Sequence, residues 1–125
     1  MRSPYEERRG SPERILDAIA KIGERNTESI DAFQVDEMLQ VWVIHHLQVI
    51  GEAARGVSQP LKDLHPEVPW SEIVALRNIL VHEYFGLNMR QVWTMTQQDL
   101  LKLEAQVQRI RSQIAPDGVT GEGMA

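Results

Sequence analysis

WTMTQQDLLKLEAQVQRIRSQI, residues 93–114, is the stretch whose reading decides the fold. Trp93, Thr96, Leu100, Leu103, Val107, Ile110 and Ile114 recur at alternating steps of three and four. That spacing lines them along one stripe of an α-helix and makes the seam of a helical bundle. Period-two alternation, the mark of a half-buried strand, is missing here and in every other window of the chain. The pattern predicts one long final helix. Asn88-Met89-Arg90-Gln91 opens it as a capping box, with Asn in the usual Ser or Thr place, and Pro116 stops it.

Working outward, the same periodicity recurs three times. A helix opens at Trp70-Ser71-Glu72 with Ser71 as N-cap, buries Ile73, Leu76, Leu80 and Val81, and ends near Phe85-Gly86. Residues 56–69 read as a loop punctuated by Pro60, Pro66 and Pro69 and pinned by Leu61, Leu64 and Val68. Before it, a helix starts between Asp31 and Asp36 and runs to about Arg55, with Val35, Met38, Leu39, Trp42, Val43, Leu47, Ile50 and Ala54 as its main stripe. Val41, Ile44 and Val49 carry apolar character further round, which predicts burial on two sides, one facing a partner. Gly51 and Ala53 leave room for another helix to approach closely. Ser11-Pro12-Glu13 supplies an N-cap, a first-turn proline and a first-turn acid for a helix ending near Arg25, with Ile15, Leu16, Ile19 and Ile22 inward. Four helices on short links predict an all-α, antiparallel four-helix up-and-down bundle over residues 11–115. Residues 1–10 are expected to be frayed and 116–125 to be a disordered tail.

At 125 residues and 42% hydrophobic content the chain is one domain able to bury a core. It has no cysteine, which excludes disulfides and thiolate metal sites and fits a reducing cytoplasm. MRSPYEERRG at the N-terminus carries charge where a secretory signal needs an apolar core. The longest apolar run, Val41 to Ile44, is far too short to cross a bilayer. A soluble, cytoplasmic protein is expected. The net charge of −5 argues against broad binding to duplex nucleic acid. It leaves room for a small pocket that takes one or two phosphates, or for a groove where two copies of Arg77 and Arg90 gather positive charge.

The chemistry concentrates in Arg77-Asn78-Ile79-Leu80-Val81-His82-Glu83-Tyr84. A guanidinium offers a phosphate a fork of donors, and imidazole titrates near neutrality. Together they suit phosphodiester chemistry without a metal. Arg77 and His82 are five residues apart, so a regular helix points them about 140° from each other. The helix must end or distort near His82, with Gly86 as breaker, or a second copy must complete the site; both together are expected here. Without its flanks, such a pair is more often an ion-pair donor and a capping group, and such a tyrosine a half-buried residue at the rim of a bundle. His45 and His46 are adjacent and diverge, which reads as packing or interface and not as a shared metal site. His65 reads as a loop residue and Glu52 as part of a solvated face, the alternative being that it faces the cleft. Trp42, Trp70 and Trp93 read as anchors, since no Lys or Arg run is interleaved with them.

Several segments, in order, carry a resemblance: Val49-Ile50-Gly51-Glu52-Ala53-Ala54, His65-Pro66-Glu67-Val68-Pro69-Trp70, Arg77 to Tyr84 with Phe85-Gly86, and Val92-Trp93 before Asp99-Leu100. Over roughly residues 12–114 the chain resembles the HepT family of HEPN-domain ribonuclease toxins, paired with MntA, a minimal nucleotidyltransferase antitoxin. The resemblance implies a HEPN-like bundle, RNA as substrate, Arg77 and His82 as catalytic residues and Asn78 as their support. It implies that Tyr84 is the residue to which the MntA-like antitoxin transfers AMP from ATP, the toxin needing no cofactor of its own. It also implies a homodimer or higher oligomer with the motifs facing across a cleft. Many relatives carry Asp at position 88, where this chain has Asn, a capping variation with little bearing on catalysis. The expected function is a metal-independent endoribonuclease toxin. The alternatives are a non-catalytic helical partner or substrate-binding subunit of a nucleotidyltransferase, and a dimerising regulator.

Overall fold

Helix α1, Pro12–Arg25, begins where Ser11 and Pro12 place it. The Ser11 hydroxyl accepts from the Arg14 N–H at 3.2 Å, and Pro12 occupies a position whose N–H has no helical acceptor. Ile15, Leu16, Ile19 and Ile22 are buried, as their spacing requires. The computed structural model describes residues 11–26, 29–83 and 86–114. The expected frayed N-terminus and disordered tail fall outside these.

The second predicted helix is preceded by a short one. Helix α2 spans Ile30–Val35 and α3 spans Glu37–Gly56. Asp36 adopts an extended backbone between them, and its carboxylate accepts from the Leu39 N–H at 3.0 Å, capping α3. The Gln40 amide donates to Phe33 O at 2.9 Å and Gln34 O at 3.1 Å at the end of α2, where Phe33 O also accepts from the Asp36 N–H. Phe33 is fully buried, a contribution of about 2–3 kcal/mol by area. Val35 and Met38, assigned by periodicity to the inward stripe, are 85% and 81% exposed. Val43, Leu47, Ile50 and Ala54 are buried as expected.

The segment read as a plain loop contains helix α4, Gln59–Leu64, capped by the Ser58 hydroxyl on the Leu61 N–H. Pro60 lies in its first turn, where proline starts helices instead of ending them. Val68 pins the segment, whereas Leu64 is exposed. Helix α5, Trp70–His82, has Pro69 and not Ser71 at its N-cap, with no side-chain capping bond. The Trp70 indole instead donates to His65 O at 3.0 Å, tying the connection to the start of the helix. α5 ends at His82, earlier than Phe85-Gly86. Leu80 is buried and Ile73 and Leu76 half-buried, while Val81 is 42% exposed.

The long final helix is two, α6 (Met89–Gln97) and α7 (Asp99–Ile114). Asn88 caps α6 as predicted, accepting from the Gln91 N–H at 3.1 Å. The break at Gln98 follows Thr96, whose hydroxyl donates back to Trp93 O at 2.6 Å, a bond that bends helices. The same hydroxyl accepts from the Asn26 amide at 2.6 Å, so α6 is fastened to the end of α1. Leu100, Leu103, Val107 and Ile110 keep their stripe buried beyond the break.

The result is an all-α bundle of four long legs, α1, α3, α5 and α6–α7, with no strand among the described residues. α1 packs on α3 and α7, and α5 leans on α3. A groove of about 680 Å³ opens between α3, α5, α6 and α7, lined by Leu47, Ile50, Ile73, Leu76, Met95 and Leu103 among others. No described helix is long and apolar enough to cross a membrane.

Candidate active site

Helices α3 and α5 approach closely at Gly51. A Cβ placed there would lie 2.3 Å from Arg77 Cβ and 3.2 Å from Ile73 O, so only glycine admits this approach. Gly51 does what its place in the sequence predicts, and the residue it admits is Arg77. With the stem of Arg77 laid against α3, its side chain is only 23% exposed and its Nε is buried without a hydrogen-bond partner.

Two oxygens hold the outer nitrogens. Arg77 Nη2 donates to Glu52 Oε2 at 3.1 Å, and Nη1 donates to Asn78 Oδ1 at 3.2 Å. The Asn78 side chain is thus beside the Arg77 guanidinium, whereas its expected role is to orient the phosphate or His82. Glu52, expected on a solvated face, is 46% exposed but is directed at Arg77. Sequence spacing could not show this pairing, because the partners are 25 residues apart on different helices. An ion pair this open to water contributes at most about 1 kcal/mol to stability, so its importance lies in where it holds the guanidinium.

His82 is the last residue of α5 and is exposed. The helix stays regular up to it: the Glu83 N–H donates to Ile79 O at 2.9 Å, and the Gly86 N–H then donates to Glu83 O at 2.9 Å. Helical geometry separates Arg77 and His82 by about 140° around the axis and about 7.5 Å along it. No distortion brings them together, and Gly86 is not the residue that ends the helix. Within one chain Arg77 turns toward α3 while His82 faces solvent. Tyr84 lies outside the described residues. Arg90 is exposed in the first turn of α6.

The remaining histidines are structural in their surroundings. His46 is buried, edge-on to Trp42 with ring centres 4.5 Å apart, and 4.8 Å from the exposed His45 ring. Burial, then the neighbouring His45 and Lys21, push the His46 imidazole below its ordinary value, and Glu24 partly opposes them. His65 is more than a loop residue: it is buried, its carbonyl takes the Trp70 indole, and its Nδ1 lies 3.5 Å from the Glu67 carboxylate. The Trp42 indole donates to Lys21 O at 2.8 Å and Arg25 covers its ring at 4.9 Å, an anchor as expected. Among the described residues no three His, Asp or Glu side chains are grouped to hold a metal ion. Neither Arg77 nor His82 lines the apolar groove.

A family model described as ribonuclease HepT-like matches residues 15–110. A Thermococcus cleftensis protein bearing the name probable ribonuclease HepT is 36% identical over 100 residues, covering 79% of this chain and 91% of the relative. A Methanocaldococcus jannaschii protein named as an RNase is 38% identical over 84 residues, 66% of this chain and 77% of the relative. A Caldanaerobacter subterraneus protein, also named as an RNase, is 37% identical over 82 residues, 66% of this chain and 73% of the relative. No solved structure matches at a comparable level.

Proposed function

Because the chain belongs to the HepT-like ribonuclease family, we propose that it is a metal-independent endoribonuclease whose active centre forms where two copies of α5 face each other. One observation carries this reading. Arg77 is fixed on the α3 side of α5, beside Asn78, while His82 stands free at the end of the same helix on a different face. A second copy, turned to meet the first, brings a guanidinium and an imidazole to one phosphate, which the single chain does not.

One His82 takes the proton of a ribose 2′-hydroxyl, and the 2′-oxygen attacks the adjacent phosphorus. The bond to the 5′-oxygen breaks, and the partner's histidine, already protonated, gives its proton to that leaving oxygen. The products are a 2′,3′-cyclic phosphate and a 5′-hydroxyl end. Arg77 binds the non-bridging oxygens and stabilises the charge that grows on them, supplying fixed positive charge where other nucleases use a metal. Asn78 holds that guanidinium from the side.

The protein acts as a toxin controlled by a cognate MntA-like nucleotidyltransferase. AMP transferred from ATP to the Tyr84 hydroxyl, with release of pyrophosphate, adds a bulky anion two residues beyond His82 in the sequence and keeps RNA out. The family membership and the intact Arg77, Asn78, His82 and Tyr84 set support this reading. The test is RNA cleavage in the presence of a chelator. Wild type should cut and leave cyclic phosphate ends, and Arg77→Ala and His82→Ala should each be inactive while folded. Cleavage that needs a divalent ion, or that survives either substitution, rejects the proposal.

A further inference from the structure

We propose that Glu52 is a positioning residue for Arg77, holding the guanidinium in the orientation in which it meets a phosphate; this rests on the ribonuclease reading above. The segment Gly51-Glu52 does two successive jobs on one helix. Gly51 lets the Arg77 stem lie flat on α3 and buries Nε there. Glu52 then takes Nη2 at 3.1 Å, while Asn78 takes Nη1 at 3.2 Å from α5 itself. A planar guanidinium with one edge against a helix and an oxygen on each terminal nitrogen cannot rotate freely about its last bond. Each terminal nitrogen keeps one further N–H beyond these bonds, held in the plane they fix, and a pre-oriented fork binds an oxyanion without first losing rotational freedom.

Glu52 cannot be a phosphate-binding group. Its carboxylate repels an incoming phosphodiester, so its net effect on RNA binding is neutral or slightly unfavourable. What it supplies is geometry, realised when charge builds on the phosphate. That separates it from Arg77, whose loss removes the donor itself, and from a purely stabilising ion pair, whose loss lowers the melting temperature and leaves turnover intact.

The experiment compares wild type, Glu52→Ala and Glu52→Gln in chelator. Glu52→Ala should lower kcat about fivefold, the rate equivalent of the ~1 kcal/mol ceiling of a half-exposed pair, with KM for RNA unchanged or lower. Glu52→Gln keeps an acceptor oxygen and should stay within about twofold of wild type. The second readout is independent of cleavage: the NMR signal of the Arg77 Nε–H, identified by its loss in Arg77→Lys. It should exchange slowly with water in wild type and Glu52→Gln, and much faster in Glu52→Ala. Three results overturn the inference: a wild-type kcat in Glu52→Ala, a raised KM with kcat intact, or an Arg77 Nε–H as protected in Glu52→Ala as in wild type. If wild type itself cleaves no RNA, the ribonuclease reading falls. The exchange measurement then decides alone whether Glu52 holds the guanidinium.

Discussion

Replacing Gly51 by alanine drives a methyl group into the stem of Arg77. The new Cβ would stand 2.3 Å from Arg77 Cβ, about 1.2 Å inside the ~3.5 Å at which carbon atoms come to rest. Arg77 Cβ is fixed to the α5 backbone and cannot swing away, and Ile73 O stands 3.2 Å from the same point. The helices must therefore part. Overpacking of this kind costs about 1–3 kcal/mol, and the higher helix propensity of alanine returns about 1 kcal/mol of it. The net expectation is a loss of up to about 2 kcal/mol, or a melting temperature lower by up to about 8 °C. Separation also lifts Arg77 from α3, so cleavage should fall by more than the stability loss alone explains. Thermal denaturation by circular dichroism and RNA cleavage well below the transition measure the two effects. A Gly51→Ala protein as stable as wild type, with Arg77 equally effective, would refute the close-approach account.

Acidification tests His46. Its folded pKa lies below the unfolded value near 6.5, so below that value the unfolded chain takes up a proton that the folded chain resists. The stability tied to neutral His46 is fully present above about pH 6.5 and is lost as the pH falls from there through the lowered folded value. Denaturant titrations between about pH 7 and 5 should show a shallower decline for His46→Phe, which keeps a ring against Trp42 without a titrating group. Trp70→Phe removes the indole donor to His65 O and leaves that carbonyl unmatched. It should cost about 1 kcal/mol in unfolding free energy, and no loss would show that bond to be idle.

Local signals were legible in the sequence where their partners are local. Ser11, Pro12 and Asn88 define helix starts through contacts within one turn, and the structure places those starts there. The divergence of Arg77 from His82 follows from their spacing alone and survives because α5 stays regular through His82. Distant partners were invisible. The break at Gln98 follows a hydroxyl that Asn26 engages from 70 residues away. Glu52 looks like any solvated helix residue until α5 is laid across α3. Pro60 reads as punctuation because proline both starts helices and ends them, and the Ser58 cap decides which. Apolar periodicity overcounted the core at Val35 and Met38, since it reports which residues avoid water and not what covers them.

On the proposed ribonuclease reading, one chain holds two halves of a site that only a second copy joins. Specific RNA-cleaving activity, measured over a dilution series alongside the mass of the species present, tests it most directly. Activity per chain should fall in step with the fraction of dimer and vanish in the monomer. A monomer that cuts RNA at the undiluted rate per chain contradicts the account.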